Sequence, residues 1–110
     1  MNRSEKLFFN DIIESIELVE RYVLGKTLED FSASKLLQDA VLRRIEIIGE
    51  AVKNISEETK AYHPEISWRK IAGTRDVLTH EYFGVNLDRI WKTAQEDLPS
   101  LKKQVQETLN

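Results

Sequence analysis

KLLQDAVLRRIEIIGEAVKNI, residues Lys35 to Ile55, decides the fold. Its apolar positions Leu36, Leu37, Ala40, Val41, Ile45, Ile48, Ala51, Val52 and Ile55 recur at three- and four-residue steps, the period of an α-helix. The stripe is wide, and a wide stripe needs cover from more than one side, so this is the helix expected to be most buried. Gly49 falls inside it with no turn chemistry around it, at a cost of about 1 kcal/mol relative to alanine. A close backbone approach by a neighbour is the expected compensation.

The same period continues on both sides. Phe8, Ile12, Ile16, Val19 and Val23 predict a first helix that Gly25 stops. Thr27-Leu28-Glu29-Asp30 places a capping residue three positions before an acid, which predicts a short helical turn, and Ser34 is a cap for the long helix. Ser56-Glu57-Glu58 predicts a short helix ending before Pro64, because the residue preceding a proline is pushed out of helical geometry. His63 then falls in a loop and reads as a solvated histidine. Ser67 caps a helix through Trp68, Ile71, Ala72, Val77 and Leu78 toward Phe83, with Gly84 as terminator. Asn86 caps a last helix built on Leu87, Ile90, Trp91, Ala94, Leu98, Leu101 and Val105, which Pro99 must kink or break. No strand pattern or repeat is present. The expected architecture is all-α, an antiparallel four-helix bundle over residues 1–110 with a short extra helical turn and a kinked last helix.

With 110 residues the chain can bury one modest core, and oligomerisation would add to it. Cysteine is absent, so neither a disulfide framework nor a thiolate metal site is available. No apolar run reaches membrane-spanning length and the first residues do not resemble a signal peptide, so a cytoplasmic protein is expected. The net charge of −3 argues against coating nucleic acid by bulk electrostatics. A local basic cleft remains compatible with it, since Arg43, Arg44, Lys53, Arg69, Lys70, Arg75, Arg89 and Lys92 fall in the middle and later helices while the first thirty residues are rich in acids. Two histidines separated by a helix and scattered carboxylates form no ligand spacing, which argues against a zinc or magnesium nuclease; no cofactor is expected.

The run Arg75-Asp76-Val77-Leu78-Thr79-His80-Glu81-Tyr82 places a guanidinium, an imidazole and a phenol within about two helical turns. Arginine offers a planar fork of donors to phosphate, and histidine exchanges protons near neutral pH. Asp76 and His80 are four apart, so the carboxylate can hydrogen-bond the imidazole and fix its tautomer. Arg75 and Tyr82 lie nearly in line on a helix, whereas His80 is turned about 140° from Arg75. An uninterrupted helix cannot converge all three: the helix distorts near Gly84, the arginine reaches around, or a second subunit completes the site. From spacing alone, a surface ion-pair cluster of Arg75, Asp76 and His80, with Tyr82 on the core, is the plainer reading.

The Arg-x4-His-x-Tyr pattern is flanked by Ile48-Gly49-Glu50-Ala51-Val52-Lys53 and Trp68-Arg69-Lys70-Ile71-Ala72-Gly73-Thr74 upstream, and by Phe83-Gly84-Val85-Asn86 downstream. In this order and spacing the chain resembles the HEPN superfamily, in particular its HepT-like toxin branch. The resemblance implies a metal-independent endoribonuclease, the toxin of a toxin–antitoxin pair, with Arg75 and His80 as the catalytic pair, usually completed across a symmetric homodimer. It implies an MNT-type nucleotidyltransferase antitoxin that transfers AMP from ATP onto Tyr82. It gives Asp76 a supporting role and makes Glu50 a candidate for orienting Arg75, although an exposed helical Glu is the default expectation. Trp68 and Trp91 read as core or dimer-contact residues ahead of base-stacking platforms. The alternative from another class is a non-catalytic module that binds nucleotide and regulates the nucleotidyltransferase.

Overall fold

Most of the helices begin where a side chain accepts an amide proton that the first turn leaves unpaired. A computed structural model describes residues 2–73 and 86–109. The first helix, α1 (Arg3–Val23), is capped by Asn2, which accepts the Glu5 amide at 2.8 Å. Gly25, at φ 74°, ends it in the left-handed conformation that glycine adopts without strain. Thr27 and Asp30 exchange side-chain-to-backbone hydrogen bonds of 3.1 and 2.9 Å, a complete capping box for α2 (Leu28–Ala33). Ser34 caps α3 (Lys35–Lys53) and Ser56 caps α4 (Glu57–Tyr62), each taking an amide at 3.1 Å. Residues 68–73 form α5, whose first turn closes from the Ile71 amide to the Ser67 carbonyl. Its expected continuation to Phe83 lies outside the described residues.

The last helix departs from a plain kink. Asn86 starts α6 (Leu87–Lys92), a five-residue π-helical stretch follows at Thr93–Asp97, and α7 (Leu98–Leu109) completes it. Pro99 has no amide to give and its ring crowds the preceding turn. Just before it the chain widens to π geometry, with the Leu98 amide bonded to the Thr93 carbonyl, and the helix proceeds without a break.

Connectivity contacts set the directions. Glu5 at the start of α1 bonds Ser56 just past the end of α3, so these two helices run antiparallel. Lys70 meets Asp97 at 3.2 Å while Glu65 meets Thr108, so α5 and the last helix also oppose. The chain is an all-α bundle in which α1 packs along α3 and α7, and α2 bridges α3 and α6.

Burial corrects the stripe of α1. Phe9, not Phe8, continues Ile12, Ile16, Val19 and Val23, and Phe9 is wholly buried while Phe8 only flanks the core. Leu36, expected in the α3 stripe, is 82% exposed; Val41, Ile45, Ile48, Ala51 and Val52 carry the contact. Ile55 is buried but lies beyond the helix, because Asn54 ends α3 with its side-chain amide on the Glu50 carbonyl at 2.8 Å and Ser56 must start α4. Gly49 is buried within α3. Phe31 from the short α2 is also wholly buried and lies against Trp91, ring centroids 5.4 Å apart.

Replacing Phe9 by alanine should cost about 3–5 kcal/mol, the range for deleting a buried aromatic ring. Phe8→Ala should cost less than half of that. Urea unfolding of the two variants measures this, and equal losses would refute the assigned stripe.

Candidate active site

The motif run Arg75, Asp76, His80 and Tyr82 lies outside the described residues, but the frame that carries it is described on both sides. The chain enters the run from Gly73 on α5 and leaves it at Asn86, the cap of α6.

Both ends of this frame are held firmly. The Trp68 indole N–H at the start of α5 donates to the carbonyls of Lys60 (3.2 Å) and His63 (3.0 Å), and its ring meets Phe9 edge-on at 6.0 Å. On the other side Ile90 is wholly buried and Trp91 packs on Phe31. Both tryptophans are therefore packed against the core. Lys70 of α5 pairs with Asp97 of the π-helical stretch at 3.2 Å, tying the two sides together.

Between these sides runs a groove lined by Lys70, Gly73 and Asn86, and by Arg89, Lys92 and Thr93. Asp88 and Asp97 line it too. Three of the cations singled out in the sequence thus come together on a body of net charge −3. Arg43 does not join them: it pairs with Glu46 at 3.9 Å. The π-helical stretch forms part of the wall, and such stretches recur at functional sites.

Thr93 and Asp97 also border a more enclosed apolar hollow, whose walls include Ile45, Ile48, Ile71, Leu98 and Leu101. Its volume of about 80 Å³ is well under the ~150 Å³ that holds a benzene ring, so it does not admit a nucleobase as it stands.

Glu50 is exposed on α3 and lines a separate hollow with Phe8, Asp11 and Arg43. Any contact between Glu50 and Arg75 falls outside the described residues. His63 is partly buried, not fully solvated, and its Nδ1 lies 3.2 Å from the Glu65 carboxylate. Among the described residues no three histidine or carboxylate groups come together as metal ligands.

One polar group escaped the sequence reading. Glu5 is 6% exposed, and its carboxylate accepts the Thr59 hydroxyl at 2.6 Å and the Ser56 amide at 2.9 Å. These bonds, the Thr59 hydroxyl foremost and then Ser56, lower its pKa from 4.5 to about 2. The Asn2-x-x-Glu5 spacing resembles a local capping box, which hides the long-range role. Since the folded pKa is depressed, the stabilisation is complete above pH 4.5 and is lost as pH falls toward about 2. Thermal unfolding should therefore show Glu5→Gln less stable than wild type at neutral pH, with the gap closing across that window. A gap independent of pH would overturn the assignment.

An all-α bundle with this motif run carried between two anchored helices places the chain in the HEPN superfamily. The family model for the ribonuclease HepT-like proteins matches residues 12–108, and the chain belongs to that family of RNA-cleaving enzymes. It is 52% identical over 102 residues to a Thermococcus cleftensis protein named “Probable ribonuclease HepT”, covering 93% of each chain. It is 42% identical over 107 residues to “Putative RNase TTE0752” of Caldanaerobacter subterraneus, covering 97% of this chain and 96% of that one. A third relative, “Gamma-glutamylcyclotransferase and putative RNase MJ0434” of Methanocaldococcus jannaschii, is 48% identical over 105 residues. The match covers 96% of this chain and 47% of that longer protein, so the chain spans about half of its length. No solved structure gives a significant match. No helix among the described residues is long and apolar enough to cross a membrane.

Proposed function

We propose that the chain is the toxin of a toxin–antitoxin pair, a metal-independent endoribonuclease that works in the cytoplasm as a homodimer. The observation that carries this reading is the family match over residues 12–108, which spans the whole Arg75-to-Tyr82 run. The groove of Lys70, Arg89 and Lys92 at both ends of that run supports a polyanionic substrate.

In this reading His80 accepts the proton of an RNA 2′-hydroxyl, or donates one to the leaving oxygen. The 2′-oxygen attacks the adjacent phosphorus and the bond to the 5′-oxygen breaks, leaving a 2′,3′-cyclic phosphate and a 5′-hydroxyl. Arg75 holds the phosphate and offsets the charge that builds on it in the transition state. Asp76 fixes the His80 tautomer, and Glu50 orients Arg75. A second subunit completes the site, which would answer the angular separation that a regular helix imposes on Arg75 and His80.

Silencing comes from an MNT-type nucleotidyltransferase antitoxin. The Tyr82 hydroxyl attacks the α-phosphorus of ATP, pyrophosphate leaves, and an AMP group remains on the phenol. The tethered anion then occupies the position that RNA needs beside Arg75. The direct test is cleavage of a mixed-sequence RNA by unmodified protein in the presence of a chelator. Cleavage supports the reading; an intact substrate, with mass spectrometry showing Tyr82 free of adduct, would reject it.

A further inference from the structure

The groove contains two cations that meet no carboxylate among the described residues. Arg89 and Lys92 are three apart on α6, so they share one face, and both are exposed. Neither is ion-paired among the described residues, whereas Lys60, Lys70 and Lys102 each meet a carboxylate. Lys70 lies against Asp97 and takes up that negative charge, which leaves Asp88 as the opposing group within the groove. Arg89 and Lys92 together outweigh it.

We infer that Arg89 and Lys92 form a phosphate-binding step that holds the backbone of single-stranded RNA alongside the motif run. This rests on the ribonuclease reading and adds to it a positioning element outside the Arg75–His80 pair. The arginine fork suits a phosphate and the neighbouring ammonium adds a point charge, both on a helix anchored by Ile90 and Trp91. The groove is bounded by Gly73 and Asn86, the residues that flank the motif run in sequence, so RNA engaged there lies next to both ends of that run. Contacts of this kind set register and affinity without reading bases.

The test uses full-length His80→Ala protein, so that binding is read without cleavage. A fluorescein-labelled single-stranded RNA of mixed sequence is titrated by anisotropy across a salt series. Losing two phosphate contacts should flatten the slope of log affinity against log salt by about 1.4, two steps of about 0.7 for a single strand. This corresponds to roughly tenfold weaker binding near 0.15 M salt. Arg89→Ala/Lys92→Ala should show that change, and Arg43→Ala/Lys103→Ala, the same loss of charge elsewhere, should not. In the background with His80 intact, the first pair should raise KM with little effect on kcat.

An unchanged slope in the groove variant would overturn the inference, as would equal losses in both pairs, which indicate bulk charge only. Calorimetry with AMP forms a separate arm: loss of AMP binding with the RNA slope preserved would assign the step to a mononucleotide and overturn the RNA assignment. If wild-type protein neither binds nor cleaves RNA, the ribonuclease reading itself fails, and this is seen before any groove variant is compared.

Discussion

Arg75→Ala and His80→Ala should each leave RNA almost uncut, with the turnover rate down about 10²–10³-fold for the arginine and about 10²–10⁴-fold for the histidine. These are the ranges for removing a transition-state donor and a general acid or base. If the two groups act on one transition state, as proposed, the double variant should lose little more than the worse single variant. Single-turnover cleavage with chelator present measures all three. A rate within a few-fold of wild type in either single variant would refute its catalytic role. Mixing the two variants adds a readout on assembly. If each site takes Arg75 from one subunit and His80 from the other, random exchange makes half of the dimers mixed, each with one intact site of two. About a quarter of wild-type activity should return on that symmetric arrangement. A site contained within one subunit would regain nothing.

The second large effect is silencing through Tyr82. A nucleotide tethered seven residues from Arg75 presents its phosphate at an effective concentration of order millimolar. RNA offered at micromolar concentration then competes at a disadvantage of roughly 10³-fold. Incubation with the cognate nucleotidyltransferase and ATP should accordingly reduce cleavage by two to three orders of magnitude, roughly in proportion to the fraction modified. Tyr82→Phe has no hydroxyl to form the bond, so its cleavage should be the same with and without transferase and ATP. Quantitative modification with cleavage intact would disprove the occlusion mechanism, and a Tyr82→Phe protein that is still silenced would place the modification elsewhere.

Four helix starts and the stop at Gly25 were legible because capping is local chemistry, whereas the end of α3 at Lys53 was not. Thr27, Ser34, Ser56 and Asn86 each sit three residues from the amide they accept, and Gly25 supplies its own left-handed turn. The motif run was legible as residue types in order, and the frame adds to it the groove cations Lys70, Arg89 and Lys92, scattered in sequence and adjacent in space. The choice between Phe8 and Phe9 was not legible: both fit a helical step to Ile12, and only packing against Trp68 and the core selects Phe9. Phe31 and Ile66 gave no periodic signal because Phe31 sits in a six-residue helix and Ile66 sits outside any helix.

What the amino-acid order alone determined is whatever depends on neighbours within about four residues: the all-α class, the caps, the break at Gly25 and the conflict that Pro99 creates in the last helix. Tertiary structure decided what depends on partners far along the chain. It made Glu5 the anchor of Ser56 and Thr59, more than fifty positions away. It met the Pro99 conflict with a π-helical stretch instead of a break, and it brought α5 and α6 together so that Lys70, Arg89 and Lys92 face one groove. The physical reason is the same in each case: hydrogen bonds and turns close locally, whereas burial and the meeting of charges across a groove require the whole bundle to form.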